Sequence, residues 1–369
     1  MSSCPHFDRA TCRSCTQLEL AQAAQLTKKS ELLSRVTGVE ALPALASAPT
    51  GFRDKLKLSV GGSLDHIQLG LLSPDLREVF ELSQCQVNNP WFEAQFPALK
   101  ALVRSARLTP YDIASRRGEL KGIILSRSPQ SGEAMVRFVL RSREGLDRLR
   151  LALPQLAAFK VVSANIQPIP HALLEGPEEI ILTDDHFISH HTGVVQLAFA
   201  PKGFMQTNLA VADQLYLQAA RWATEHGPKT CVDLFCGSGG FALHLAQLGL
   251  AVTGVEIEAQ AVAMAKAMAT QAALDGQFVC ASADQIQSTL AATQPDLILV
   301  NPPRRGLAGG RGLLMQQRPR LIIYSSCHLQ SLEADLTELK TLYDIKKTQV
   351  FDMFPHTDHF ESLSLLIRR

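Results

Sequence analysis

The chain has 369 residues, 36 Lys and Arg against 35 Asp and Glu, and 46% hydrophobic residues. This length predicts about two domains at ~150 residues each and excludes a small secreted disulfide-rich domain. Neither an apolar run of ~18 residues nor an apolar N-terminal segment with a cleavage site is present, which argues against a membrane protein and a secreted one. We expect a cytoplasmic globular protein.

Three cysteines occur within the first fifteen residues. Cys4, Cys12 and Cys15 form a C-x7-C-x2-C pattern, and Cys85 is a possible fourth ligand. Four thiolates suit either tetrahedral zinc or a four-iron cluster, and the spacing does not choose between them. The alternative is a set of unrelated thiols. We favour a metal site, because packing does not readily explain three cysteines at an otherwise irregular terminus.

Residues 1–183 are predicted to form an α+β domain. A helix is compatible with residues 18–37, and a second one with residues 91–107. Short strand-like runs broken by Gly, Pro and Ser lie between and after them. These runs cover residues 55–60, 66–71, 122–125, 134–140 and 159–166.

The charge is unevenly distributed along the chain. Residues 101–150 contain eleven Lys and Arg but five Asp and Glu, whereas residues 251–300 contain one Lys and five acids. A basic first half fits an anionic polymer held through its phosphates. A solvated arginine-rich surface is an equally good interpretation of the charge alone.

From residue 184 to residue 369 strands and helices alternate, which predicts an α/β domain with a parallel sheet and helices on both faces. The expected helices cover residues 209–226, 241–248 and 260–273. The expected strands cover residues 231–235, 251–255, 277–280, 297–300 and 321–324. The carboxyl ends of such strands are where doubly wound sheets bind ligands.

A glycine-rich turn follows the first of these strands, from Phe235 to Gly240. Glycines let the backbone approach a ligand at the positive end of a helix, and Glu256 ends the next strand, where it can accept ribose hydroxyls. The turn also fits the G-x-G-x-x-A fingerprint, so it does not distinguish NAD from S-adenosylmethionine. Asn301-Pro302-Pro303 favours the methyl donor, because a rigid amide has no evident role in hydride transfer.

Cys327 follows the last predicted strand, at the same edge of the sheet as Asn301. A thiol at a strand end can act as a nucleophile, although a small buried hydrophobe is the commoner fate of a free cysteine. The pairing of Cys327 with a cofactor turn suggests covalent catalysis.

Five sequence blocks, in order, resemble the class I RNA uracil-C5 methyltransferases. They are residues 204–208 (FMQTN), 233–240 (DLFCGSGG), 301–304 (NPPR), 326–327 (SC) and 352–361 (DMFPHTDHFE). The resemblance covers both halves of the chain. One departure is that His328 and Leu329 follow the cysteine, where the family often has Asn or Asp and then Pro.

By matching positions, the resemblance assigns Cys327 as the nucleophile and Glu361 as the base. The cofactor contacts assigned in the same way are Gln206, Phe235, Glu256 and Asn301. A thiolate adding at carbon 6 would make carbon 5 of uracil nucleophilic, and a carboxylate would then remove the proton from carbon 5. The fold implied is a Rossmann-like class I methyltransferase sheet behind an N-terminal α+β RNA-binding domain.

The resemblance also implies a [4Fe-4S] cluster on the four cysteines, because a subset of the family that acts on ribosomal RNA carries one. The chain looks like the shorter 23S ribosomal RNA members, which modify uridine 747. The arginine-rich segment between Arg104 and Arg150 is expected to bind the RNA. The target uridine must be unpaired or flipped out of its helix to reach the thiol. We expect a monomer.

Two classes of rival function stay open at this point. Within this family, the target could be another ribosomal position or a transfer RNA. Outside it, the turn allows an NAD-dependent oxidoreductase, and a non-catalytic RNA-binding protein would not need Cys327 or Glu361.

Overall fold

The computed structural model describes residues 4–73, 78–169, 175–282, 285, 294–308 and 310–369. The chain forms two compact units. One contains Ser14–Pro49 and His191–Arg369, and the other contains Thr50–His190 together with the segment up to Arg13. The division predicted between residues 183 and 184 stays a prediction, but the sequence patterns do not indicate that residues 14–49 pack with the C-terminal part.

The unit with the C-terminal part contains an eight-stranded mixed sheet of order β1-β16-β17-β15-β14-β11-β12-β13. The strands are β1 (Leu42–Leu45), β11 (Thr230–Leu234), β12 (Ala251–Glu256), β13 (Gly276–Cys280), β14 (Leu297–Val300), β15 (Leu321–Ser326), β16 (Tyr343–Phe351) and β17 (Glu361–Arg368). Strands β11 to β15 are parallel to one another, as the alternating pattern predicts.

The prediction of a parallel sheet does not hold for β17, which runs antiparallel to both β15 and β16, so the sheet is mixed. The helices of this unit are α2 (Gln22–Thr37), α5 (Leu209–His226), α6 (Gly240–Gln247), α7 (Ala259–Gln271), α8 (Gly310–Gln317) and α9 (Leu329–Leu339). Fully buried apolar residues of β14 and β15 pack with Leu332, Leu336 and Leu33 in one hydrophobic core. Helices α2 and α9 therefore cover the sheet beside the strand that precedes Cys327.

The other unit contains a seven-stranded sheet of order β4-β3-β2-β5-β6-β7-β8. Its strands are β2 (Lys55–Gly62), β3 (Ile67–Leu72), β4 (Val79–Glu81), β5 (Leu120–Arg127), β6 (Ala134–Leu140), β7 (Val161–Ile166) and β8 (Glu178–Ile181). Helices α1 (Pro5–Asp8), α3 (Pro90–Ser105) and α4 (Leu146–Ala152) belong to it, with short 3-10 turns on either side of α4. One apolar sheet face packs on α3 and α4, as an α+β domain requires.

Two short strands, β9 (Ile188–Thr192) and β10 (Val195–Phe199), follow in the chain. None of the helices that the structure describes combines the length and the hydrophobicity needed to cross a bilayer.

Candidate active site

A cavity of about 670 Å³ opens at the carboxyl ends of the parallel strands. It is lined by every predicted cofactor and catalytic residue: Gln206, Phe235, Glu256, Asn301, Cys327 and Glu361. Phe204, Arg304, Phe354 and His359 line it as well. The structure thus brings together one residue from each of the five sequence blocks and Glu256 from the end of β12.

The turn after β11 adopts the left-handed conformation at three positions. Phe235 has φ +65°, Gly237 +54° and Gly239 +86°. The chain can therefore reverse within a few residues and begin α6 at Gly240. Left-handed backbone costs an ordinary side chain free energy, so the phenylalanine at position 235 marks strain at the cavity wall.

Glu256 is held by backbone amides at the end of β12. Its Oε2 accepts from the Gly237 amide at 3.1 Å, and its Oε1 accepts from the amides of Ile257 and Glu258 at 2.7 and 2.9 Å. The carboxylate joins the glycine turn to the next strand and faces the cavity. Its role in accepting the ribose hydroxyls of a cofactor stays a prediction.

Cys327 and Glu361 are brought together by the register of two antiparallel strands. Ser326 at the end of β15 is paired with Ser362 of β17, and the Ser362 hydroxyl donates to the Ser326 carbonyl at 3.1 Å. The next position along β15 is Cys327, and the preceding position on β17 is Glu361. The antiparallel addition to the sheet therefore places the thiol beside the carboxyl group.

Both groups have strongly shifted acidities. Burial raises the pKa of Glu361 to about 8, although the Ser325 hydroxyl, 3.5 Å away, opposes this shift. Burial and the charge of Glu361 raise the pKa of Cys327 to about 11, while the Arg304 guanidinium, hydrogen-bonded to the thiol, lowers it. The cavity thus contains a cysteine whose acidity is affected by a buried carboxyl group and by a cation.

The loop between β16 and β17 carries Phe354 and His359 and is fixed by the segment around α2. The Lys29 ammonium donates to Asp352 at 2.6 Å, with neither side chain exposed. Gln25 accepts from the His356 amide at 2.9 Å. These contacts fix the loop that leads directly into Glu361.

Several arginines of the predicted RNA-binding segment, residues 104–150, form ion pairs within the protein. Arg143 contacts Glu178, Arg148 contacts Glu119, and Arg150 lies 2.9 Å from Asp147. Exposed side chains in the same region include Arg107, Arg116 and Arg117. The net basic charge of residues 101–150 therefore overstates the cationic surface that a polyanion could meet.

The N-terminal cysteines are each partly buried. Burial raises the pKa of Cys85, and the neighbouring Cys4 thiol adds to this shift. His6 Nε2 lies 2.5 Å from the Ser83 carbonyl, so the first helix contacts the loop of Cys85. Within the described ranges, however, no three potential ligands among His, Cys, Asp and Glu are close enough to hold a metal ion.

Comparison with known proteins identifies the family. The sequence model of the tRNA (uracil-5-)-methyltransferases matches residues 181–369. The chain belongs to this family. The resemblance stated from the five sequence blocks is thereby confirmed.

Curated relatives match this chain over nearly its whole length. The 23S rRNA (uracil(747)-C(5))-methyltransferase RlmC of Shewanella oneidensis is 42% identical over 99% of this chain and 98% of its own length. The RlmC proteins of Pectobacterium atrosepticum and Xenorhabdus bovienii are 42% and 41% identical, each over 99% of this chain. These matches cover 99% of the Pectobacterium protein and 98% of the Xenorhabdus protein.

A solved structure shares the fold. The tRNA (uracil-54, C5)-methyltransferase of Pyrococcus abyssi, in complex with S-adenosyl-L-homocysteine, has a TM-score of 0.81 and 24% identity. The match covers 96% of this chain and 86% of that one. The α/β architecture expected from the sequence is confirmed by this likeness.

The roles of the individual residues stay predictions. Sequence reasoning did not assign functions to Arg304, Phe354 or His359, although all three stand within the quoted motif blocks. Arg304 could have been expected near Cys327, because it follows Asn301 at the same edge of the sheet. The proximity of Phe354 and His359 to Cys327 depends on the antiparallel pairing of β17, which the strand patterns did not indicate.

Proposed function

We propose that this protein transfers a methyl group from S-adenosylmethionine to carbon 5 of uridine 747 in 23S ribosomal RNA. The observation that supports this reaction is the meeting of Cys327, Glu361 and the cofactor turn in one cavity. Full-length identity of about 41% to several RlmC proteins supports the choice of RNA and position. Ribosomal RNA as substrate would place the protein in the cytoplasm, where we expect it to act as a monomer.

The cofactor would occupy the part of the cavity near Glu256 and Asn301. The Glu256 carboxylate would accept ribose hydroxyls, and the ring of Phe235 and the buried amide of Gln206 would position the remaining parts. S-adenosylmethionine supplies an electrophilic methyl group when bound. Proline residues 302 and 303 restrict the backbone after Asn301 and so keep its amide fixed beside the cofactor.

Cys327 would start the reaction by adding its thiolate to carbon 6 of the uracil. The new sulfur–carbon bond would move the electrons of the 5,6 double bond onto the ring as an enolate. Carbon 5 could then attack the methyl carbon of the donor, whose bond to the sulfonium sulfur breaks so that S-adenosylhomocysteine leaves. Glu361 would then take the proton from carbon 5. The double bond forms again as the bond between sulfur and carbon 6 breaks, which returns Cys327 as a thiolate.

The acidity of Glu361 suits the role of the base. General bases are most effective with a pKa near the working pH, and burial brings that of Glu361 to about 8. The Arg304 guanidinium lowers the pKa of Cys327 and favours the attacking thiolate. The two shifts act on successive steps, the addition of the thiol and the removal of the proton.

We further propose that Cys4, Cys12, Cys15 and Cys85 bind a [4Fe-4S] cluster. The proximity of Cys4 to Cys85 supports this proposal, and thiolates are the ligands that such clusters use. The described residues do not bring three ligands together, and no step of the methyl transfer passes through this site. Anaerobically purified protein should contain iron and sulfide and absorb broadly in the visible range. Stoichiometric zinc without iron would contradict the cluster.

The RNA is expected to meet exposed arginines such as Arg107, Arg116 and Arg117. The decisive experiment incubates the purified protein with unmodified 23S ribosomal RNA and S-adenosylmethionine and maps 5-methyluridine. We expect the modification at uridine 747. Modification of another ribosomal position or of transfer RNA alone would reject the proposed site. NAD binding without methyl transfer would reject the reaction.

A further inference from the structure

Asp335, on helix α9, joins two segments that line the candidate active site. Only 5% of its side chain is exposed. Its Oδ2 accepts hydrogen bonds from the Leu307 amide at 2.9 Å and from the Tyr324 hydroxyl at 2.6 Å. A single carboxylate oxygen therefore binds both the turn that follows Asn301 and strand β15.

The first of these segments is the turn that carries Arg304. It is closed by a hydrogen bond of 2.8 Å from the Gly306 amide to the Pro303 carbonyl. Gly306 has φ +78°, and a Cβ atom there would stand 2.7 Å from Asp335 Oδ2. Glycine is required at this position both by the backbone angle and by the close approach of the carboxylate.

The second segment is the end of β15. Tyr324 is fully buried, and Cys327 follows three residues later at the cavity. Arg304 contacts the Cys327 thiol and lowers its pKa. The exposed Arg304 side chain has a fixed position only if the turn beneath it is fixed relative to β15, and Asp335 makes that link.

We propose that Asp335 is a positioning residue that holds the turn of Arg304 against the end of β15, so that the guanidinium stabilises the Cys327 thiolate. This inference rests on the proposed function, which requires that thiolate as nucleophile. The other carboxylate oxygen, Oδ1, lies 3.7 Å from Nε of Arg311. That cation orients the carboxylate so that Oδ2 receives both hydrogen bonds.

Substitution of Asp335 by Asn conserves size and removes one acceptor. If its oxygen stays toward Leu307 and Tyr324, its NH2 group faces the Arg311 guanidinium, donor against donor. If the amide flips, the NH2 group faces the two hydrogen-bond donors instead. Either orientation weakens the link between the turn and β15.

The test measures alkylation of Cys327 by iodoacetamide as a function of pH in RNA-free protein, with the Cys327 peptide followed by mass spectrometry. We expect Arg304→Gln and Asp335→Asn each to lower the rate at neutral pH by about three- to tenfold, because each pKa unit changes the thiolate fraction about tenfold. Tyr324→Phe, which removes one of the two hydrogen bonds, should give a smaller decrease. Tyr324→Phe also tests the link between the turn and β15 if Asp335→Asn does not fold.

The double variant Arg304→Gln/Asp335→Asn should react no more slowly than Arg304→Gln alone, because Asp335 acts through Arg304. Glu338→Gln is the matched control. Glu338 lies on the same helix and pairs with Arg311 at 2.8 Å but does not touch the turn, so its alkylation profile should equal that of the wild type.

Wild-type alkylation profiles in both Asp335→Asn and Tyr324→Phe, or additive losses in the double variant, would overturn the positioning role. These outcomes are separate from failure of the proposed function. A protein that fails to methylate RNA but shows the expected alkylation changes rejects the reaction and retains the contact network.

Discussion

At the scale of single residues, the candidate site contains a cysteine, Cys327, and a carboxyl group, Glu361, whose pKa values are both raised. Both shifts arise mainly from burial. With pKa values of about 8 and about 11, both groups are mostly protonated at neutral pH, and Glu361 loses its proton before Cys327 does. A neutral Glu361 does not oppose formation of the Cys327 thiolate, whereas an ionised one does. In the proposed reaction, Cys327 carries no charge once its sulfur is bonded to carbon 6, so an ionised Glu361 then meets no like charge on that sulfur.

This arrangement makes a prediction about stability and pH. The pKa of Glu361 is about 8 in the folded protein against an ordinary value of 4.5, so folding takes up a proton between these two pH values. Stability should therefore fall as the pH rises from 4.5 to 8, by about 1.4 kcal/mol for each unit of pKa shift.

Glu361→Gln removes this pH dependence. Thermal unfolding should show the variant to be more stable than the wild type at pH 8 and nearly equal to it at pH 4.5. A difference in melting temperature that stays constant between these pH values would contradict the buried, raised pKa.

The sequence could predict these residue identities, because Cys327 and Glu361 stand in motif blocks shared with a family. It could not predict their electrostatics. Those depend on the burial of Glu361 and on the contact with Arg304, which arise from strands and turns far apart in sequence.

At the scale of secondary-structure elements, helix α2 fixes the loop that leads into β17. The pair of Lys29 and Asp352 is fully buried, whereas the adjacent pair of Lys28 and Asp358 is about half exposed. Both aspartates belong to the same loop. The two neighbouring lysines therefore offer a matched comparison of a buried and an exposed ion pair.

Lys29→Met should destabilise the protein by about 3–5 kcal/mol, because it leaves the carboxylate of Asp352 buried without its partner. Lys28→Met should change stability by about 1 kcal/mol or less. Chemical denaturation of the two variants measures the difference. Equal effects would show that Lys29 does not anchor the loop.

The glycine turn before α6 allows a second comparison. A Cβ atom on Gly240 would stand 2.5 Å from the Tyr216 ring, whereas one on Gly312 of α8 would meet no atom within 4 Å. Gly240→Ala should cost about 1–3 kcal/mol through overpacking. Gly312→Ala, the control, should be neutral or slightly stabilising. Denaturation midpoints that do not differ would contradict the packing described for α6.

Many elements were predictable from sequence. The expected helix at residues 209–226 and the expected strands at 134–140 and 297–300 match the observed bounds. Strands β16 and β17 were missed, because Lys346 and Lys347 interrupt the apolar pattern of β16 and no turn signal marked either strand as part of the sheet. The antiparallel pairing that brings Glu361 to Cys327 was therefore not expected.

At the scale of the whole molecule, the chain builds its C-terminal unit from two separated segments. Residues 14–49 contribute α2 and the edge strand β1, although residues 50–190 separate them from the rest of this unit in the sequence. Local sequence patterns cannot predict which distant segment a helix packs against, because the spacing of apolar residues indicates only which face of the helix is buried. The family resemblance did not indicate this packing either, because all five of its sequence blocks lie between residues 204 and 361.

The central claim is that the Cys327 sulfur bonds to carbon 6 of the target uracil. It is tested most directly by incubating the protein with S-adenosylmethionine and a 23S ribosomal RNA fragment that carries 5-fluorouridine at position 747. Fluorine at carbon 5 cannot be removed as a proton, so elimination stops and the adduct should persist on a denaturing gel. We expect this adduct with the wild type, none with Cys327→Ser, and a persistent adduct with ordinary uridine for Glu361→Gln. Absence of an adduct in the wild type, or methylation by Cys327→Ser near the wild-type rate, would contradict the account.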